Sequence, residues 1–209
     1  MKELAGQVAK KIELAAELLM QAKHPVVLTG AGISTPSGIP DFRSEGTGLW
    51  AKSEAMEVAS LSSFRYKPLR FYNWFRPLAN KIINATPNTA HVALAELENA
   101  GHLDAVITQN IDVLHQKAGS KNVIEMHGTL RTLSCTQCFH QFESALFLKS
   151  FVEDKTVPYC PDCNAILKPD VILFGEQLPQ KEWLKAQSSA RNCDLMLVIG
   201  SSLEVLPVA

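Results

Sequence analysis

The sequence has no apolar run near the roughly 18 to 20 residues needed to cross a bilayer, so no membrane span is expected. It has no excess of either charge: 20 Lys+Arg stand against 21 Asp+Glu, a net charge of −1. A balance that even argues against a nucleic-acid-binding surface over the whole molecule, and no direct nucleic-acid contact is expected. Met1 to Lys11 is charged and helix-prone, without the apolar core and small-residue cleavage site of a signal peptide. There is no internal repeat and no low-complexity tract. Together these absences point to a cytoplasmic protein. The five cysteines agree, because closely paired Cys in a reducing compartment more often bind metal than form disulfides.

What the chain does have is 46% apolar residues over 209 positions, enough for one domain, or one domain with a small insert. Leu4, Val8, Ile12, Ala15, Leu18 and Leu19 predict an amphipathic helix over 3–22, broken by Pro25. Val26-Val27-Leu28 is a short strand running straight into Gly30-Ala31-Gly32, the opening of a nucleotide-binding unit. Residues 34–50 read as a functional loop, 67–84 and 88–100 as helices, 105–108 as a buried strand, 111–118 as a helix and 123–126 as a strand. Residues 130–168 lose the long apolar periodicity and hold four of the cysteines, so they read as an insert. The strand pattern resumes at Val171 to Phe174, followed by a helix over 179–190 and a last strand from Asp194 to Ile199. Strands alternating with helices imply an α/β fold: a Rossmann-like parallel sheet with helices on both faces, plus a small zinc-binding module.

Cys135-Thr-Gln-Cys138 and Cys160-Pro-Asp-Cys163 are two C-x2-C pairs, each able to present two thiolates to one tetrahedral ion. A redox C-x2-C would open a helix after a strand, and neither pair does. Four thiolates fill all four positions of a zinc ion, so the metal is expected to be structural. Cys193 stands alone before a strand and reads as a small buried residue.

Gly30-Ala31-Gly32 begins like a dinucleotide fingerprint, but Thr35 stands where the third glycine should be, and the next glycine is Gly38. The acidic residue expected about 20 positions on is also missing, which disfavours a standard dehydrogenase. Backbone N–H groups beside small residues could still cradle a pyrophosphate.

The run Gly30-Ala-Gly-Ile-Ser-Thr-Pro-Ser-Gly-Ile-Pro-Asp-Phe-Arg43 closely resembles the first signature of the sirtuin family. Thr108-Gln-Asn-Ile-Asp112, His127-Gly128, the two C-x2-C pairs, Phe174-Gly-Glu176 and Gly200-Ser-Ser-Leu203 resemble the remaining blocks, in order and over nearly the whole chain. The resemblance implies an NAD-dependent protein lysine deacylase, or deacetylase, with NAD as co-substrate and one structural zinc. Its partners would be acyl-lysine proteins or peptides. In the family the acyl oxygen attacks the ribose C1′ and nicotinamide leaves. A histidine base then frees a ribose hydroxyl to attack the imidate, giving lysine and O-acyl-ADP-ribose.

By resemblance His127 is that base, a role that suits an imidazole titrating near neutral pH; without the motif, a hydrogen-bonded core histidine would be the plainer reading. Asn110 would orient a ribose and a water, Asp112 with the Ile111 backbone would hold the nicotinamide carboxamide, and Gln109 would contact ribose hydroxyls. Gly30, Ala31, Gly32, Thr35 and Asp41 would line the cofactor wall, Phe42 would shield C1′ from water, and Arg43 would approach the phosphates. Gly200, Ser201 and Ser202 would meet the adenine-side ribose and phosphate. Asp112 would also suit a helix N-terminus. The peptide would add as a strand along Gly175, Glu176 and Gln177, with the Ile172 carbonyl receiving the lysine Nε–H. Phe174 would belong to the same segment, or to the core.

The implied layout places the NAD-binding domain at 1–40, 86–129 and 169–209, and the small domain at 41–85 and 130–168. Two departures stand out. Sirtuins that prefer succinyl or malonyl groups carry Tyr-x-x-Arg; here Tyr72-Asn-Trp-Phe75 puts Arg76 one place late, a rotation of about 100° on a helix. An uncharged acyl group is therefore expected. The chain also ends at Leu206-Pro-Val-Ala209, where family members continue into a final core strand and an adenine loop, so a C-terminal truncation is expected. Two rivals remain: a protein mono-ADP-ribosyltransferase, marked by ADP-ribose on protein without O-acyl-ADP-ribose, and a non-catalytic module that binds NAD or acylated partners without releasing nicotinamide.

Overall fold

Val26, Val27 and Leu28 are consecutive and all buried, which a strand allows only when both faces of its sheet are covered. They form the centre of β1 (Pro25–Thr29) in a computed structural model that describes residues 2–41 and 54–209. β1 pairs in parallel with β2 (Ala105–Thr108) on one side and β7 (Leu195–Ile199) on the other, and β3 (Val123–Glu125) extends the sheet beyond β2. The strand order β3-β2-β1-β7 reverses direction at β1. That reversal opens a crevice at the carboxyl ends of the strands.

Alternate residues serve the two faces. Val27 and Val106 pack with Leu94 of α5 (Thr89–Asn99), while Val26, Leu28, Ala105 and Ile107 pack with Ala186 of α8 (Gln180–Asn192). The expected α/β sheet with helices on both faces is present. α1 (Lys2–Gln21) forms as its periodicity predicts, yet Val8, Ile12 and Leu18 remain exposed and Leu19 alone of its described side chains is buried. Ala, Leu, Lys and Glu favour this helix locally; no described element covers its apolar stripe.

After β1 the chain turns through a short 3-10 helix, Ala31–Ser37, closed by Gly38 at φ 85°. Two helices not anticipated, α2 (Glu54–Val58) and α3 (Leu61–Tyr66), precede α4 (Pro68–Asn84). Phe64, Phe71, Tyr72 and Phe75 stack among themselves and against Phe151 of α7 (Ala145–Val152) in the largest apolar cluster. α6 (Leu114–Ala118) starts later than expected: Val113, at φ 65°, is its N-cap residue, and Asp112 Oδ1, just before it, accepts the Leu114 N–H at 2.9 Å.

The cysteine-bearing insert is built on a small antiparallel sheet, β4 (Gly128–Cys135), β5 (Gln141–Glu143) and β6 (Leu167–Val171), in the order β5-β4-β6. This corrects one expectation. The strand anticipated at 171–174 as a member of the parallel sheet is not there; Val171 ends β6 of the small sheet, and Leu173 is buried in the aromatic cluster. In β6 the buried Leu167, Pro169 and Val171 alternate with Lys168 and Asp170, the period of a strand covered on one face.

Candidate active site

Thr29 and Thr108 end β1 and β2, and the segments that follow them form the crevice floor. The Thr29 hydroxyl donates to Thr108 Oγ1 at 2.8 Å, and Thr108 Oγ1 accepts the Asn110 N–H at 3.0 Å. Asn110 Nδ2 donates to the Gly30 carbonyl at 3.1 Å and to Ser34 Oγ at 3.3 Å. Ser34 in turn donates to Asp112 Oδ2 at 2.6 Å. Asn110 and Asp112 are 7% and 5% exposed, so each is oriented by named bonds. Asn110 Oδ1 takes no bond within the described residues, and Asp112 keeps a second lone pair on each oxygen.

His91 supports Ser34 from behind. Its Nδ1 accepts the Asn88 N–H at 3.3 Å, so its proton lies on Nε2, 3.5 Å from Ser34 Oγ. Asn88 also caps α5, its Oδ1 accepting the Ala90 N–H at 2.9 Å. Burial pushes the His91 ring below the ordinary histidine range, against the pull of Asp112.

His127 lies two residues beyond the end of β3. Its Nδ1 lies 2.9 Å from the Gln109 carbonyl, and a carbonyl can only accept. The neutral ring therefore carries its proton on Nδ1 and leaves Nε2 with a lone pair. Burial pushes this ring below the ordinary histidine range; the Gln109 carbonyl bond pulls it the other way. Gln109 Nε2 also reaches Ser201 Oγ at 3.4 Å, which joins the ends of β2 and β7 across the crevice.

The glycines join the turns that follow β1 and β7. Gly30 N–H donates to the Ile199 carbonyl at 3.1 Å and Gly32 N–H to the Gly200 carbonyl at 2.9 Å. A Cβ on Gly200, which has φ 64°, would stand 2.1 Å from Ile33 N. The small residues let two strand-end turns close on one another. Ala31 and Thr35 remain on the open side, with Thr35 Oγ1 tied to the Gly32 carbonyl at 3.0 Å. Ser202 bonds Glu204 at 3.4 Å. Asp41 is half-buried at the edge of the described chain, and the expected Phe42 and Arg43 lie outside the described residues.

In the segment expected to meet the peptide, the Phe174 N–H donates to the Ala59 carbonyl at 3.0 Å and its own carbonyl accepts the Leu61 N–H at 2.9 Å. Its backbone is thus committed to the chain between α2 and α3. The Ile172 N–H donates to the His127 carbonyl at 2.8 Å, which ties this segment to the histidine. Gly175 turns at φ 85°, and the Glu176 carboxylate meets the Leu173 N–H at 2.7 Å and Lys168 Nζ at 3.0 Å. Gln177 is exposed beside them.

The Sγ atoms of Cys135, Cys138, Cys160 and Cys163 all lie within 4.8 Å of one another. Cys135 and Cys163 are 3.4 Å apart and Cys138 and Cys160 3.6 Å, far beyond a disulfide bond. Tetrahedral zinc with bonds of about 2.3 Å separates its sulfurs by about 3.8 Å, so the four fit a closed zinc site. The N–H groups of Gln137 and Cys138 point at Cys135 Sγ at 3.4 Å each.

The Sir2 family profile matches residues 30–207. The chain belongs to the Sir2 family. An Archaeoglobus fulgidus sirtuin named NAD-dependent protein deacylase 2 is 47% identical over 200 residues, 95% of this chain and 78% of its own. The Pyrococcus furiosus NAD-dependent protein deacylase is 43% identical over 207 residues, 99% of this chain and 80% of its own. A Sir2 enzyme solved in a study of mechanism and regulation superposes with TM-score 0.87 at 46% identity, over 95% of this chain and 79% of that one. A Sir2 complex with a p53 peptide and NAD+ gives 0.83 at 41% identity, over 94% and 78%.

Five buried residues of this sirtuin escape its motifs' obvious reading: Thr29, Ser34, His91, Thr108 and His115. Ser34 sits inside the first signature without an assigned role. A threonine closing each of two apolar strands was the available signal for Thr29 and Thr108. His91 and His115 lie on helices, and only the fold brings their rings to 4.9 Å.

Proposed function

We propose that this sirtuin removes acetyl or other uncharged acyl groups from lysine in protein or peptide partners, using NAD and yielding nicotinamide and O-acyl-ADP-ribose. A cytoplasmic location is the reading that five unpaired cysteines favour. The observation that carries the activity is the tautomer of His127: the Gln109 carbonyl holds its Nδ1 proton, so Nε2 is ready to take one.

The crevice suits a ribose diphosphate. Donors and acceptors from Gln109, Asn110 and Ser201 converge at the strand ends, where open α/β sheets bind nucleotides. Bound there, NAD would supply a glycosidic bond that can release nicotinamide and a ribose hydroxyl that can accept the acyl group. His127 Nε2 would take the proton of that hydroxyl and later return it. Asn110 would present Oδ1 to the ribose or a water, and Asp112 would accept from the nicotinamide carboxamide. The peptide would run along Gly175–Gln177. Asp41, Phe42 and Arg43 would close the cofactor side, on a division into a nucleotide domain and a small zinc-bearing domain.

The acyl preference is argued from α4. Phe75 is buried where an acid-binding arginine would sit, and the Tyr72 hydroxyl donates to the Leu167 carbonyl. The Arg76 guanidinium turns away, donating to the carbonyls of Phe151 at 2.9 Å and Lys155 at 3.0 Å. Beside Asp112, Tyr72, Phe75, Ile82, Leu130 and Phe147 line a mainly apolar cavity of about 320 Å³. Of the two cations at its rim, Arg131 pairs with Glu125 at 2.5 Å and Lys117 Nζ donates to the Ala85 carbonyl at 3.3 Å.

Incubation with NAD and an acetyl-lysine peptide, followed by mass spectrometry, tests the activity. Deacetylated peptide together with O-acetyl-ADP-ribose, both lost in His127→Ala, is the expected result. ADP-ribose on protein without O-acetyl-ADP-ribose would overturn it.

A further inference from the structure

His115 lies beneath the crevice on α6, 1% exposed, and is not among the residues assigned to nucleotide, peptide or metal. Its Nε2 is 3.0 Å from Thr29 Oγ1. Thr29 is the first link of the chain that runs through Thr108 Oγ1 to the Asn110 N–H, at 2.8 and 3.0 Å.

The direction of this chain follows from an orphan. His115 Nδ1 is buried with no partner among the described residues. Were Thr29 to give its proton to Nε2, the ring proton would sit on Nδ1 as a buried N–H with nothing to receive it, the costlier kind of unpaired group. With the proton on Nε2, only a lone pair is left over. His115 therefore donates to Thr29, Thr29 donates to Thr108, and Thr108 keeps a lone pair for the Asn110 N–H. Burial, with the nearby His91 ring, holds His115 neutral down to about 3. The donor is thus unchanged across any working pH.

We propose that His115 is a positioning residue for deacylation: through Thr29 and Thr108 it fixes the Asn110 backbone, and with it the direction in which the Asn110 side chain meets the nucleotide. This rests on the NAD-dependent reading of the crevice. The chain is specific in what it needs, namely an N–H donor at the place of Nε2 and a hydroxyl at Thr29. A side chain needed only for packing would require bulk alone.

The test compares wild type with His115→Leu, His115→Gln, Thr29→Val and the double variant His115→Leu/Thr29→Val. Nicotinamide release is measured with NAD and acetyl-lysine peptide, and exchange of the Asn110 amide proton by NMR. Leu removes the donor, Gln restores an N–H near Nε2, and Val keeps the shape of Thr29 without its hydroxyl. His115→Leu and Thr29→Val should each lower kcat by about tenfold, the effect of slight misalignment of one contacting group, with the peptide KM unchanged. The Gln variant should recover to within about threefold of wild type, and the double variant should lose no more than either single one, as members of one chain do. The Asn110 amide should exchange faster in Thr29→Val. Full kcat in His115→Leu, a Gln variant no better than Leu, or losses that multiply in the double variant would overturn the inference. If wild type releases no nicotinamide, the deacylase reading fails; amide exchange still decides the link, and unchanged protection in Thr29→Val sinks it.

Discussion

A histidine serves as a base only while one ring nitrogen keeps its lone pair, and for His127 the Gln109 carbonyl selects Nε2. Protonation would destroy that capacity, and burial lowers the pH at which it happens. The kcat/KM profile for deacylation should therefore rise through a midpoint below 6.5, the ordinary histidine value, and stay flat above it. A midpoint above 6.5 in the free enzyme would count against His127 as the base. The same physics reaches stability through the two deeper histidines. The folded pKa values of His91 and His115 lie below the unfolded one, so the unfolded chain binds more protons in the window between them. Their contribution is complete above about 6.5 and declines as pH falls toward the folded value, about 3 for His115. Urea unfolding at pH 7 and pH 5 should show a loss that shrinks by about 2 kcal/mol in His115→Leu. An unchanged pH dependence would mean the ring is already charged or solvated in the fold.

Among the elements, those legible in the sequence are the ones whose burial is uniform. Val26 to Leu28 and Ala105 to Thr108 are buried on both faces, and a continuous apolar run reports that directly. Val171 to Phe174 is the instructive failure. It is just as apolar, but Val171 closes a small antiparallel strand while Leu173 fills the aromatic cluster, and a four-residue run cannot say which. The late start of α6 was hidden for a similar reason, since the Asp112 carboxylate meets both Ser34 and the Leu114 N–H across the turn that precedes the helix. On α4 the one-residue offset of Arg76 was readable and its consequence is concrete. Its guanidinium bonds two carbonyls near the end of α7 and lies 4.8 Å from the Phe151 ring. Arg76→Ala should cost about 1–3 kcal/mol in denaturant unfolding and leave the preference for acetyl- over succinyl-peptide unaltered. Succinyl turnover exceeding acetyl turnover in wild type, or a preference that shifts in the variant, would place Arg76 in the acyl pocket after all.

For the whole molecule, what the motifs could not disclose is pairing across distance. The Thr29–Thr108 bond spans 79 positions, and it exists because the register sets those two residues side by side at the strand ends. Local spacing carries no such information, whereas the four cysteines announce themselves within two short segments. The zinc module is also where the larger parts of the fold are joined. β4 begins one residue after His127, its Gly128 pairs with Val171, and the His127 carbonyl accepts the Ile172 N–H. The apolar cluster beside the cysteines is small, centred on Leu133, Cys135, Cys160 and Leu167, too little by itself to hold three short strands in place. Metal binding should therefore supply much of the module's stability. Elemental analysis should find one zinc per chain, and chelation or Cys135→Ser should lower Tm by about 5–15 °C. None of the four cysteines lies on a strand of the parallel sheet, so far-UV circular dichroism should keep most of its signal below the new transition. Activity should fall with the module, because the strand that loses its anchor is continuous with His127, the proposed base. A chelated, metal-free protein with unchanged Tm would show that packing alone holds β4, β5 and β6, and that the four thiolates are not a structural centre.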